Sequence, residues 1–163
     1  MSAAVLLALM GCLGLPPVPT SVKLFDGQNK LVGFVDLLEI KGGVQIRVHT
    51  LGMAPGIHGL NIHQNAVCEP PSFASAGPIL TARDAKDSVL AGDLPDITAG
   101  TTEWSDTTIS WPLIRLDKGG RGVFHNGGSS FVVTQEPDNG HASPEGSGTR
   151  IACGVVKERP EIR

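Results

Sequence analysis

The stretch Gly56-Ile57-His58-Gly59-Leu60-Asn61-Ile62-His63-Gln64 follows the turn signal Ala54-Pro55-Gly56 and decides how the chain is read. Laid out as a β-strand, it places alternate residues on one face, so Asn61 and His63 point one way and Leu60 and Ile62 the other. Around it the chain punctuates like an all-β protein. Turn signals recur at Asp26-Gly27, Lys41-Gly42-Gly43, Lys118-Gly119-Gly120 and Asn126-Gly127-Gly128, and 21 glycines with 12 prolines leave few windows for a helix. Between the turns, Val22 and Leu24 alternate with Lys23, and Val44, Ile46 and Val48 alternate with Gln45, Arg47 and His49. Thr107 to Ile114 and Phe131 to Val133 are rich in β-branched or aromatic residues. Only Thr81 to Leu90 has the composition of a helical turn or two. Short strands with one wet face, joined by tight turns, predict an antiparallel sandwich or a closed Greek-key barrel.

Composition bounds what such a barrel can do. A chain of 163 residues, 40% hydrophobic and 18% charged, buries one good core and is too short for two ordinary domains. A net charge of −3 without a cluster of Lys or Arg argues against a nucleic-acid-binding surface.

Residues 2–10, Ser-Ala-Ala-Val-Leu-Leu-Ala-Leu-Met, are far too short to span a bilayer, which needs roughly 20 apolar residues. They read as the h-region of an export signal. Leu9-Met10-Gly11-Cys12 has the shape of a bacterial lipoprotein signal, in which Cys12 becomes the lipidated first residue of the mature chain. No Lys or Arg precedes the run, so an ordinary cleaved signal and an apolar N-terminus without a targeting role stay open as alternatives. Residues 1–20 are thus expected to be signal and Pro-rich tether, and 21–163 the barrel domain, exported to the periplasm or cell envelope. With Cys12 lipidated, Cys68 and Cys153 remain as a pair; a disulfide between them suits an oxidising compartment, and two buried free thiols are the alternative.

Four segments, Gly56 to Gln64, Ser75-Ala76-Gly77-Pro78, Gly92-Asp93-Leu94-Pro95 and Gly148-Thr149-Arg150-Ile151-Ala152-Cys153-Gly154-Val155, resemble in order and spacing the copper/zinc superoxide dismutases of the bacterial exported type. The resemblance runs from about Val22 to Val156 and implies an eight-stranded Greek-key β-barrel with two long functional loops. It also implies where metal ligands would stand. The family's His-x-His copper pair reads Asn61-Ile62-His63 here; the bridging histidine after Ser-Ala-Gly-Pro is Ile79; the fourth copper histidine is Thr134; and a zinc histidine three residues before the zinc aspartate, matched by Asp93, is Leu90. Asp84 and Asp87 are the only donors between Leu80 and Val89. Asp138 matches an aspartate that tethers ligands of both metals, and Arg150 matches the arginine that guides superoxide toward copper.

The matching set is therefore His63, Asp93, Asp138 and Arg150. One imidazole and one carboxylate fall short of the three or four protein ligands a tight zinc site uses. His141, three residues after Asp138, is the one histidine placed to restore a ligand. His58 is expected to make a structural hydrogen bond, while His49 and His125 are expected at the surface. No Gly-x-Ser-x-Gly elbow and no phosphate-binding Gly-x-x-x-x-Gly-Lys occurs. The resulting expectation is a superoxide dismutase-like exported domain that has lost catalysis, with no copper or zinc at full occupancy, acting as a binding or structural module. The alternative is a residual dismutase, converting superoxide to oxygen and hydrogen peroxide on an altered copper site. The membrane is a partner only through Cys12, and homodimerisation is left open, because the family pairs its barrels through different faces in different branches.

Overall fold

The computed structural model describes residues 19–82, 89–138, 146 and 148–158. They form eight strands: β1 (Thr20–Asp26), β2 (Leu31–Ile40), β3 (Gly43–Leu51), β4 (Gly56–His63), β5 (Asp93–Ala99), β6 (Trp104–Trp111), β7 (Ser129–Thr134) and β8 (Arg150–Val156). The alternation in β1 and β3 becomes a buried inner row, with Val22, Leu24, Ile46 and Val48 at 2% exposure or less. Strand β6 begins at Trp104 and stops at Trp111, short of the Thr107 to Ile114 run, because Pro112 has no N–H to continue a ladder. Thr81, Ala82, Val89 and Leu90 are not helical, and the rest of that window lies outside the described residues.

The strands form a single antiparallel sheet in the order β5-β4-β7-β8-β1-β2-β3-β6. Pairing β3 with β6 and β4 with β7 makes the connections Greek-key crossovers. The expected eight-stranded barrel is what forms, nearly closed, since β5 and β6 share no backbone ladder. Side chains tie that seam instead. Ser105 Oγ accepts from the Gly100 N–H at 3.0 Å and donates to the Thr98 carbonyl at 3.1 Å, with the Thr50 hydroxyl also bonded to it. Further along, the Trp111 indole donates to the Ala91 carbonyl at 2.8 Å. Ser105→Ala would strip three groups of a partner at a half-buried position. We expect it to lower the unfolding free energy by about 1–2 kcal/mol, read as a lower urea midpoint at unchanged slope.

The registers also set the two ends of the barrel. Thr20 pairs with Leu37 near the β2–β3 turn, and Ser129 pairs with Val156, so the chain enters where β8 leaves and where the 112–128 connection lies. The turns at 27–30, 52–55 and 100–103 and the start of β8 at Arg150 occupy the opposite end.

Candidate functional site

Strand β4 lies between β5 and β7 and splits its residues as the alternation dictates. Leu60 and Ile62 enter the core, while Asn61 and His63 face outward, His63 beneath the segment from Gln64 to Leu80, and all four are 0–1% exposed. That cover is sewn on by backbone bonds, from Gln64 N–H to the Pro78 carbonyl at 2.9 Å and from Leu80 N–H to the Ile62 carbonyl at 2.8 Å.

A disulfide between Cys68 and Cys153 fixes the same segment to β8, with a Cα separation of 5.8 Å. Beside it Phe73, Ala76 and Val132 form a small apolar cluster apart from the main core. Phe73 is 2% exposed and has a positive φ of 53°, a conformation that costs a bulky side chain energy and is held by the packing around it. Arg150 completes the attachment: its guanidinium donates to the Phe73 carbonyl at 2.7 Å and the Gly77 carbonyl at 3.2 Å. An open basin of about 610 Å³ lies here, lined by Pro71, Ser72, Gly77, Gly146, Gly148 and Arg150 among others.

The Gly77 carbonyl is shared. His63 Nδ1 lies 2.7 Å from it, and since a carbonyl only accepts, Nδ1 carries the proton and Nε2 keeps its lone pair. Gly77 has φ +74° and a side chain there would meet Asn65, so glycine is required on both counts. Burial pushes the His63 pKa down to about 4; the Gly77 bond opposes the shift and the Arg150 charge adds to it.

Ile79 is the bridge partner of His63 and is 0% exposed, so its alkyl side chain stands beside the imidazole. Asn61 donates through Nδ2 to Asp138 Oδ2 at 2.9 Å, whereas its Oδ1 is buried without a hydrogen-bond partner among the described residues. Asp138, 7% exposed, is anchored in turn by its N–H to Asp96 Oδ1 at 3.2 Å. Thr134 turns its hydroxyl to the Glu136 carbonyl at 2.9 Å. Asp93 opens β5 opposite Asn61. Leu90 stays half-buried, so the filling of this region by apolar side chains rests on Ile79 rather than on both residues. Cys12, Asp84, Asp87 and His141 lie outside the described residues.

The remaining histidines sort by their partners. His58 is 4% exposed and both its ring nitrogens face backbone carbonyls, of Ala54 at 2.8 Å and of Gln135 at 3.0 Å, a structural clamp between β4 and the end of β7. His49 is not simply at the surface: it is half-buried between Asp106, 2.6 Å from Nδ1, and Asp36, 3.4 Å from Nε2. The His49 bond, aided by Arg47, holds the Asp106 carboxyl below the usual range. His125 is also half-buried, with Nδ1 3.4 Å from the Lys118 carbonyl.

Sequence reasoning missed the carbonyls of Phe73 and Gly77, which hold His63 and Arg150. The Ser75-Ala76-Gly77-Pro78 motif contained Gly77, yet a carbonyl carries no residue signature. The described donors do not fit a copper and zinc centre. Among the described residues no three His, Cys, Asp or Glu side chains gather so as to hold a metal ion. Beside His63 stand an alkyl group and a carboxamide already bonded through its nitrogen, and a carboxamide oxygen is a poor copper ligand.

A nearly closed Greek-key barrel, with a buried imidazole on its outer wall under a disulfide-pinned segment and an arginine at the segment's edge, is a superoxide dismutase-type barrel. The family model described as copper/zinc superoxide dismutase (SODC) matches residues 31–156, and the chain belongs to that family. It is 37% identical over 149 residues to the Cu-Zn superoxide dismutase of Caulobacter vibrioides, covering 83% of each chain. With Cu-Zn superoxide dismutase 2 of Aquifex aeolicus it shares 30% over 144 residues, 83% of this chain and 84% of that one. A crystal structure of a superoxide dismutase-like protein from Bacillus subtilis, a double mutant with a tyrosine and a proline replaced by histidine, matches with a TM-score of 0.78. The two share 27% identity over 87% of this chain and 100% of that one.

Proposed function

We propose that this chain is an exported, lipid-anchored member of the family that has lost dismutase chemistry and serves as a binding or structural module at the cell envelope. The observation that carries the reading is the packing around His63. Asn61, Ile79, Leu90 and Thr134 stand where the family resemblance places imidazole ligands, and Ile79 is 0% exposed beside the one imidazole kept. Burying an isoleucine side chain contributes roughly 1.5–3 kcal/mol, so the barrel is stabilised there without an ion. Asn61 spends its amide on Asp138, a bond that keeps the loop after β7 attached to β4. Residues 1–20 supply the signal and tether, Cys12 the lipid, and 21–163 the barrel.

The lone pair on His63 Nε2 supports a second reading, a weak single-ion site shared with Asp93 and His141. In that case Asp138 would position the donors, and Arg150 would draw superoxide in. The deciding measurement is copper and zinc content by elemental mass spectrometry of the exported, disulfide-bonded protein after loading with both ions and exhaustive dialysis. We expect no stoichiometric metal and no dismutation above that of the free ions. Near-stoichiometric copper, lost in His63→Gln, would replace this reading with the residual enzyme.

A further inference from the structure

The end of the barrel where the chain enters at Thr20 is the cationic one. Of nine Lys and Arg side chains among the described residues, five belong to it: Lys41 in the β2–β3 turn, Arg115, Lys118 and Arg121 in the 112–128 connection, and Lys157 beyond β8. The other four are Lys23, Lys30, Arg47 and Arg150. Among the described residues three carboxylates share this end and each is engaged, one of them by Lys118 itself. Glu39 accepts the Leu116 N–H at 2.9 Å, Asp117 accepts the Gly119 N–H at 2.8 Å, and Glu158 pairs with Lys118 at 2.6 Å. The contacts to Glu39 and Glu158 draw the connection across the barrel end, and Lys118, Lys157 and Glu158 line one open basin of about 470 Å³ there. Among the described residues the opposite end has the reverse balance, with Asp26, Glu103 and Glu136 against Lys30 and Arg150. The described residues thus make the barrel polar along its axis although the chain as a whole is acidic.

An anionic bilayer surface attracts Lys and Arg brought within a screening length of it, and turns a polar body so that its cationic end faces inward. The tether imposes the same orientation independently. Leu13 to Pro19, fully extended, reaches only about 25 Å, so an anchor at Cys12 holds the Thr20 end nearest the membrane. We propose that the barrel rests on its membrane through Lys41, Lys118, Arg121 and Lys157, bound to anionic phospholipid headgroups. This rests on the lipid-anchored reading above.

The natural exported protein would be reconstituted into vesicles of phosphatidylcholine alone or with phosphatidylglycerol as a minor component. Each lysine would then be scored by peptide mapping after brief labelling with an amine-reactive ester. At low salt we expect Lys41, Lys118 and Lys157 to react at least about threefold more slowly on the anionic vesicles, with Lys30 unchanged and the contrast gone at roughly 0.5 M salt. The double variant Lys118→Gln with Lys157→Gln should abolish the slowing at Lys41 while staying folded and anchored. Equal labelling on both vesicles overturns the headgroup contact. The intact mass of the exported protein tests the anchor separately. If Cys12 carries no lipid, the anchoring reading falls and the same vesicles are used in flotation: salt-sensitive flotation on anionic vesicles alone sustains the headgroup surface, and none overturns it.

Discussion

Replacing Cys68 and Cys153 together by alanine should lower the unfolding free energy by about 4.5 kcal/mol, the chain-entropy value for a bridge closing a loop of this length. The bridge joins residues 85 apart in sequence, tying the cover of the site to the central strand β8. Unfolding in urea, followed by the fluorescence of Trp104 and Trp111, would show a lower midpoint, and reductant added to the natural protein should reproduce it. A second consequence separates this bond from a generic staple. The cover also holds the Phe73 and Gly77 carbonyls that fix Arg150 and His63. Amides from Gln64 to Leu80 should therefore exchange with solvent faster than those of the barrel in the double variant, because the cover opens locally before the sheet does. A loss below about 1 kcal/mol would sink the argument and assign the attachment to the Arg150 clamp and the Phe73 cluster instead.

The barrel was legible where alternation and turn chemistry agree. The Val44 to His49 pattern became β3, and the Asp26-Gly27 and Lys41-Gly42 signals became the β1–β2 and β2–β3 turns. Strands β2 and β5 went unread. In β2 the inner residues Val32, Val35 and Leu37 are flanked outward by Phe34 and Leu38, apolar residues that blur the period of two. In β5, Pro95 argues against a strand, and is tolerated because one side of β5 has no backbone ladder. The site was legible as a set of side chains and illegible as an arrangement. Asn61 and His63 sharing a face followed from strand geometry. That Asn61 would bond the Asp138 side chain, and that one backbone carbonyl would serve both His63 and Arg150, depends on tertiary placement.

On the proposed reading, these contacts explain how a site that lost its ligands would keep its shape. An imidazole at position 61 would reach a metal with one nitrogen and a carboxylate with the other. A carboxamide retains only the second contact, and Asn61 makes it. The cover does not depend on an ion to stay in place, since the disulfide, Arg150 and the Phe73 cluster attach it at three points.

His63 gives the other large effect, in pH rather than in sequence. Its pKa is near 4 in the folded protein against 6.5 for an exposed imidazole, so below pH 6.5 the unfolded chain takes up a proton that the folded chain refuses. Stability contributed by the neutral, buried ring is fully present above 6.5, falls as the pH drops, and stops falling near 4. A shift of this size corresponds to about 3 kcal/mol across that window. Urea midpoints at closely spaced pH values would show the slope, and His63→Gln, which cannot titrate, should flatten it while costing some stability at neutral pH. Asp106 does not confuse the reading, because a carboxyl held below its ordinary 3.8 loses its contribution only beneath the window. Arg150→Gln would remove the charge that disfavours a protonated ring and should move the foot of the slope to higher pH. A wild-type curve as flat as that of His63→Gln would mean that the ring is reached by water when the cover breathes. The closed arrangement of Gly77, Ile79 and His63 would then not be the state that sets stability in solution.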